Sequence, residues 1–111
     1  MQLKGTFRWS GGSSSVNELQ KLVDELIQEL GGYWKPFEMF TALAEEVGEL
    51  ADAMLAYEGI KGHADKDKLR EELGDVLFAL VCIANYYDID VQDALNRSVD
   101  KYRLRDSNQK V

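Results

Sequence analysis

Apolar side chains recur every three or four residues through most of the sequence, and this is the period of an amphipathic α-helix. The pattern is interrupted by a Gly-Gly pair, by a segment that contains two glycines, and by an Asp-Ile-Asp segment. Four helices joined by short connections are typical of a helical bundle. The sequence therefore predicts an all-α fold of the four-helix bundle type, with helices over residues 15–30, 36–57, about 65–87 and 91 to about 105.

The ends of these helices carry recognisable signals. Ser15 and Glu18 have the spacing of a capping box, and Pro36 stands where the first turn of a helix accepts proline. The third helix is expected to begin near Asp65 or Asp67, and Asp90 is expected to cap the fourth. Each helix also has an apolar stripe that is expected to be buried. The stripes of the second and third helices comprise Leu43, Val47, Leu50 and Met54, and Leu69, Leu73, Val76 and Leu80.

Residues 1–14 differ from the rest because they end in a stretch rich in glycine and serine. They are interpreted either as an N-terminal arm or as a flexible leader. In an arm, Phe7 and Trp9 would dock on the body of the protein or on a neighbouring subunit. Residues 15–111 are predicted to form the helical domain.

Composition narrows the class of partner. The formal net charge of −7 disfavours nucleic acid, because a phosphate backbone repels an acidic surface. A nucleotide remains compatible, since a metal ion can supply the positive charge that phosphates need. No apolar run is long enough to span a membrane, and the N-terminus lacks the apolar region of a signal peptide, so a cytoplasmic protein with no membrane partner is expected.

The most informative feature is a repeated pair of carboxylates. The second helix contains the segment Glu-Glu-Val-Gly-Glu-Leu, and the third contains Glu-Glu-Leu-Gly-Asp-Val. At about 100° per residue, Glu46 and Glu49 lie roughly 60° and 120° to one side of the apolar stripe of their helix. The acidic pair of the third helix occupies the same angles. The glycines of the repeat, Gly48 and Gly74, indicate a close approach between helices.

If the two helices pack antiparallel with these flanks facing each other, Glu46, Glu49, Glu72 and Asp75 converge. Such a cluster repels itself and either raises its pKa values or recruits cations. Ligands that are all oxygen atoms suit Mg²⁺, with Mn²⁺ as an alternative, better than zinc. One acidic pair alone is typical of a solvated helix face, but two pairs of matched geometry at the apolar border favour a metal site.

The pattern Glu45-Glu46-x-x-Glu49, a spacer and then Glu72-x-x-Asp75 resembles the signature of the MazG-like nucleoside triphosphate pyrophosphohydrolases. These belong to the all-α NTP pyrophosphatase superfamily, together with dimeric dUTPases and phosphoribosyl-ATP pyrophosphatases. The resemblance implies Mg²⁺-dependent hydrolysis of NTPs or dNTPs, including non-standard ones, at the bond between the α- and β-phosphates. It also implies that the carboxylates at positions 46, 49, 72 and 75 are the catalytic metal ligands, with the one at 46 or 49 orienting the attacking water.

The resemblance further identifies residues that would bind the substrate. Lys68 lies on the carboxylate flank one turn before the acidic pair of the third helix, and Lys101 and Arg105 match residues expected to hold phosphates. Basic residues in a last helical turn also complement the helix dipole, which is the alternative role for these two. Trp34, shortly before the second helix, would stack on a nucleobase or else pack in the core or at an interface.

A homodimer or a homotetramer built as a dimer of dimers is expected, because association would bury the broad apolar surfaces of so small a bundle. Two alternative functions stay open. One is a pyrophosphohydrolase of the same fold that is dedicated to phosphoribosyl-ATP or dUTP. The other is a non-enzymatic helical interaction module in which the acidic cluster is structural or binds Ca²⁺.

Overall fold

The computed structural model of the protein describes residues 17–109. It contains four helices: α1 (Asn17–Glu29), α2 (Pro36–Tyr57), α3 (Lys66–Tyr86) and α4 (Val91–Gln109). The predicted all-α, four-helix fold is confirmed, and α4 continues about one turn past its predicted end. The predicted arm or leader over residues 1–14 and the predicted cap at Ser15 lie outside the described residues.

Three helices begin where the sequence signals place them. Pro36 is the first residue of α2. Asp65 precedes α3 and accepts hydrogen bonds from two backbone N–H groups of the first turn, at 3.0 and 3.2 Å. Asp90 does the same for α4, at 2.8 and 3.2 Å. Short acidic side chains take these positions because the first N–H groups of a helix have no partner within it.

The helices pack around α3. The contact between α2 and α3 is the most extensive one, while α1 packs on α3 and also touches α4. The buried apolar core lies where α1, α2 and α3 meet the linker between α1 and α2. It consists of Val23, Tyr33, Met39, Val81 and Cys82. The same four elements therefore determine the shape of the surface next to this core.

The apolar stripes of α2 and α3 are not the buried faces of these helices. Val47 and Met54 are 49% and 53% exposed, and Leu73 is 58% exposed. By contrast Ala53 and Ala79, on the carboxylate flanks, are 5% and 9% exposed. The prediction that the stripes are buried is therefore wrong for the single chain. Alanine lets two helix backbones approach closely, so the flanks that carry small residues form the α2–α3 contact.

The glycines of the repeat do not mark a close approach within the chain. Of the atoms of residues 17–109, none outside its own helical turn would lie within 4 Å of a Cβ added at Gly48 or Gly74. The predicted close approach is therefore wrong for the helices that the structure describes. Among residues 17–109, no helix has the length and apolar character needed to cross a membrane.

Candidate active site

Three of the four predicted carboxylates meet between α2 and α3. Glu46, Glu72 and Asp75 each offer one oxygen, and these three oxygens lie within 4.8 Å of one another. Glu72 and Asp75 stand side by side because a spacing of three residues is close to one helical turn. The pairing of α2 with α3 brings Glu46 to them. We call these residues the three-carboxylate cluster.

Glu49 lies one turn further along α2 and outside the three-carboxylate cluster. It remains within electrostatic reach, because its negative charge contributes to the raised pKa of both Glu46 and Lys68. Glu45 and Glu71, the first acidic residues of the two repeats, are exposed as the helix geometry predicts. The structure therefore brings three predicted ligands together and places the fourth beside them.

The cluster has a positively charged neighbour. Glu72 is only 3% exposed, and its Oε2 lies 3.1 Å from Nζ of Lys68, one turn earlier on α3. The hydrogen bond to Glu72, followed by the charges of Glu71 and Glu72, raises the pKa of Lys68. The Lys68 side chain is 50% exposed. A cation thus stands at the edge of the cluster, where it can also reach an incoming anion.

Glu46 experiences the mutual repulsion of the acidic groups. Partial burial and the charges of Asp75, Glu72, Glu49 and Glu45 raise the pKa of this carboxyl above its usual value. Repulsion of this kind disfavours the ionised form of Glu46. A bound cation would relieve it, because the cation attracts all of the ionised groups at once.

The three-carboxylate cluster fits a hard divalent cation. Oxygens that share one Mg²⁺ at about 2.1 Å lie about 3 to 4 Å apart, so small side-chain adjustments would bring the cluster to the geometry of a single ion. Carboxylate oxygens are preferred by Mg²⁺ and Mn²⁺, whereas structural and catalytic zinc sites usually include histidine or cysteine. The donor set therefore agrees with the metal class predicted from the sequence.

An apolar pocket of about 420 Å³ adjoins the cluster. Glu46 and Asp75 form the acidic part of its wall, and Tyr33 and Trp34 are the aromatic residues that the α1–α2 linker contributes to it. The other side chains of the wall are apolar or weakly polar: Ile27, Leu30, Met39, Ala42, Phe78, Ala79 and Cys82. A pocket of this size and composition suits a small organic ligand with a negatively charged group.

Trp34 lies in the wall of this pocket, as expected for a residue that stacks on a base. It is 48% exposed, which excludes the alternative that it packs in the core of the chain. Met39, Phe78 and Cys82 line the same pocket and were not foreseen as site residues. Apolar residues at helical spacing carry no signal that separates a pocket wall from an ordinary core.

Lys101 and Arg105 lie elsewhere in the chain. They project from α4, which contacts α1, whereas the carboxylates lie on α2 and α3. Both cations flank the ring of Tyr102. Nζ of Lys101 lies 5.0 Å from the ring centroid, and Cζ of Arg105 lies 5.1 Å from it. Of the four predicted substrate-binding residues, the structure therefore brings Lys68 to the cluster and Trp34 to the pocket, and leaves the two on α4 apart.

A buried polar network lies next to the pocket and was not predicted from the sequence. Gln20 and Asn85 are fully buried, and Tyr33 is 1% exposed. Nδ2 of Asn85 donates to the Tyr33 hydroxyl at 3.1 Å, and this hydroxyl donates to Oδ1 of Asp24 at 2.6 Å. The available signal was a single amide in the otherwise apolar run Val-Leu-Phe-Ala-Leu-Val-Cys-Ile-Ala-Asn of α3.

Comparison with known proteins bears on the family to which the chain belongs. Residues 35–109 match the model of the MazG nucleotide pyrophosphohydrolase domain. The chain is 38% identical over 96 residues to the uncharacterized protein YpjD of Bacillus subtilis, covering 83% of this chain and 86% of YpjD. It is 31% identical over 100 residues to the nucleoside triphosphate pyrophosphohydrolase/pyrophosphatase MazG of Thermotoga maritima, covering 81% of this chain and 35% of that protein.

Solved structures show the same relationship. A crystal structure of a Bacillus-conserved MazG protein, described as a nucleotide pyrophosphohydrolase, superimposes with a TM-score of 0.69 at 37% identity, covering 82% of this chain and 92% of that one. The structure of the putative pyrophosphatase YpjD from Bacillus subtilis gives 0.66 at 38% identity, with coverages of 82% and 95%. The four-helix fold, the matched domain and these relatives together show that the chain belongs to the MazG nucleotide pyrophosphohydrolase family of enzymes.

Proposed function

We propose that the protein hydrolyses ribo- or deoxyribonucleoside triphosphates with Mg²⁺, between the α- and β-phosphates, to a nucleoside monophosphate and pyrophosphate. The observation that carries this proposal is the position of the three-carboxylate cluster beside an apolar pocket that contains Trp34. A nucleotide has two parts that match this arrangement. Its charged polyphosphate binds metal, and its base stacks on an aromatic side chain. The name of the Thermotoga maritima relative supports the reaction class.

In this proposal each acidic residue has a defined task. Glu46, Glu72 and Asp75 hold the ion, with Glu49 as a further ligand next to them. When bound, Mg²⁺ neutralises phosphate charge and stabilises the leaving pyrophosphate. Either Glu46 or Glu49 orients the water that attacks the α-phosphorus, and the same carboxylate accepts the proton that this water loses. The bond from that phosphorus to the bridging oxygen breaks, and its electron pair leaves with pyrophosphate.

The basic residues and Trp34 bind the rest of the substrate. Lys68 supplies positive charge to the phosphates, because its Nζ lies at the edge of the cluster and its side chain is half exposed. Trp34 stacks on the base in the pocket. For Lys101 and Arg105, phosphate binding stays a prediction, since both project from α4 rather than from the helices that carry the cluster.

The enzyme is further proposed to act as a homodimer or homotetramer. The apolar stripe of α2 is exposed at Phe40, Val47 and Met54, by 59%, 49% and 53%. Monomeric proteins rarely expose apolar surface in a continuous stripe of this kind. Light scattering on wild type, Val47→Glu and Thr41→Glu tests this, because position 41 is exposed on the opposite side of α2 from the stripe. A smaller mass for Val47→Glu alone supports the proposal, and a monomeric wild type refutes it.

The activity is tested by incubating the protein with Mg²⁺ and each common and modified NTP and dNTP, while pyrophosphate and orthophosphate are measured separately. Asp75→Asn and Glu72→Gln are expected to abolish pyrophosphate release. Glu45→Gln and Glu71→Gln are matched controls, because they remove exposed carboxylates that neighbour the cluster in sequence. These controls should retain activity within about twofold, since surface charges act weakly through water.

The outcomes are distinct. Orthophosphate release in place of pyrophosphate would mean that a different bond is cleaved. Turnover of only dUTP or phosphoribosyl-ATP would identify a dedicated enzyme of the same fold. Pyrophosphate release that survives both Asp75→Asn and Glu72→Gln would show that the cluster is not the active site.

A further inference from the structure

The buried polar network lies beyond the far end of the pocket along α3. Asp75, Ala79 and Cys82 follow one face of α3 and line the pocket, and Asn85 comes one turn after Cys82. At 1.5 Å per residue, Asn85 is about 15 Å from Asp75 along the helix axis. A single rigid helix therefore sets the separation between the acidic cluster and the network.

The network is fully satisfied and joins several elements. Nε2 of Gln20 donates to Oδ1 of Asn85 at 2.8 Å and to the carbonyl of Ile89 at 2.9 Å. Oε1 of Gln20 accepts from the backbone N–H of Val91 at 3.1 Å, and Nδ2 of Asn85 donates to the carbonyl of Gln20 at 3.0 Å. Buried amides are costly unless each group is paired, so these bonds hold α1, α3 and the start of α4 in one arrangement.

Tyr33 connects this network to the α1–α2 linker. Its hydroxyl accepts from Nδ2 of Asn85 and donates to Oδ1 of Asp24, a residue of α1. Burial, followed by the hydrogen bond to Asp24, raises the pKa of Tyr33, so the hydroxyl stays a neutral donor at physiological pH. The ring is thus held at its hydroxyl end by both α1 and α3.

The hydrogen bonds that anchor Tyr33 matter because the backbone of the α1–α2 linker is permissive. Gly31 and Gly32 precede Tyr33, with φ of 104° and 110°. Two adjacent glycines allow many backbone directions, so the path of the next residues must be fixed by another contact. Tyr33 supplies that contact, and the residue after it is Trp34 in the pocket wall.

We infer that the hydrogen bonds of the Tyr33 hydroxyl to Asp24 and Asn85 position Trp34 for the organic part of the substrate. Tyr33, Asp24 and Asn85 are positioning residues that act on substrate binding and not on bond cleavage, because the reacting phosphates lie at the other end of the pocket. This inference rests on the proposed function, since it takes the pocket to be the site of the nucleoside.

Removing the hydroxyl with Tyr33→Phe tests the inference. Loss of one hydrogen-bonded anchor should raise KM about three- to tenfold and leave kcat within about twofold. Inhibition by a nucleoside monophosphate should weaken by the same factor, while inhibition by pyrophosphate should not change. Tyr57→Phe is the matched control, because this partly exposed tyrosine at the end of α2 is outside the network. Equal effects of both variants would overturn the inference.

A second pair of variants leaves the pocket wall untouched. Asp24 lines a different groove, and Asp24→Asn keeps an oxygen that can accept from Tyr33, whereas Asp24→Ala does not. We expect Asp24→Ala to reproduce the KM effect of Tyr33→Phe and Asp24→Asn to keep the wild-type KM. An unchanged KM in Asp24→Ala, or a fall in kcat with KM constant, would overturn the inference.

A binding measurement separates this inference from the proposed function. In a Trp9→Phe background Trp34 is the remaining tryptophan, and its fluorescence can report binding of a nucleoside monophosphate. Absence of pyrophosphate release from wild type would refute the proposed function alone. Weaker monophosphate binding in Asp24→Ala than in Asp24→Asn would then still support positioning, and equal or undetectable binding in wild type and both variants would overturn it.

Discussion

Replacing the two glycines of the repeat should stabilise the protein. Gly48 and Gly74 are exposed positions inside α2 and α3, and a Cβ at either one meets no atom of the described part of the chain within 4 Å outside its own turn. Alanine is favoured over glycine in a helix interior by about 1 kcal/mol, so each substitution should raise the free energy of unfolding by about that amount. The double variant should gain about 2 kcal/mol if the sites are independent.

Urea denaturation followed by circular dichroism measures this gain, on wild type, both single variants and the double variant. In a thermal melt of a domain near this size, a gain of about 1 kcal/mol corresponds to a rise in Tm of about 4 °C or more. Gly62→Ala is the opposite control, because Gly62 has φ of 80° and an added Cβ would lie 3.6 Å from Cβ of Ala56. The left-handed backbone should cost that variant about 1–2 kcal/mol.

The result that refutes this reasoning is a loss of stability in Gly48→Ala or Gly74→Ala. Open space around the added methyl group leaves no source for such a loss among residues 17–109. It would mean that a surface outside those residues, such as that of a neighbouring subunit, packs against the position. The close helix approach expected from the repeat would then be an intermolecular one. A matching change in molecular mass by light scattering would identify it.

Three further predictions concern the site. Mg²⁺ at about 100 times its Kd should stabilise the protein by about 2.7 kcal/mol in thermal melts. Glu72→Gln should remove this effect, and Glu71→Gln should keep it. An unchanged Tm of the wild type would exclude binding of the ion. Burial raises the pKa of the Cys82 thiol to about 11. Native Cys82 should therefore react slowly with a disulfide reagent at pH 8, and stability should fall as pH rises from about 9 to 11, because the unfolded thiol ionises first. Finally, Lys101→Met should raise the KM for NTP without altering the Mg²⁺ shift if this residue binds phosphate; an unchanged KM would assign it to its contact with Tyr102.

Local signals along the chain were sufficient to predict the helices and the carboxylate pairs. Helix ends depend on nearby residues, so Pro36, Asp65 and Asp90 could be identified without knowledge of the fold. The side-by-side arrangement of Glu72 and Asp75 follows from helix geometry alone. The proximity of that pair to Glu46, by contrast, depends on the packing of α2 against α3 through the carboxylate flank.

The sequence could not show which flank would be buried. Periodicity reveals that Val47 and Met54 share a face, and the general preference for burying apolar groups led to the expectation that this face forms the core. In the chain the alanine and carboxylate flank packs inward, because small side chains permit close contact between α2 and α3. The exposure of the apolar stripe can therefore be explained only when the packing of the helices is known.

The pocket and its anchor depended entirely on tertiary structure. Gln20 and Asn85 are 65 positions apart in sequence, and each looks like an ordinary polar residue in an amphipathic helix. Their pairing arises because α1 packs on α3, and this places Tyr33, and with it Trp34, in the wall of the pocket that adjoins the acidic cluster. The sequence by itself determined the helices and the carboxylate pairs that they carry. The tertiary structure decided which surfaces meet, because helix packing depends on the combined shapes of residues far apart in the chain.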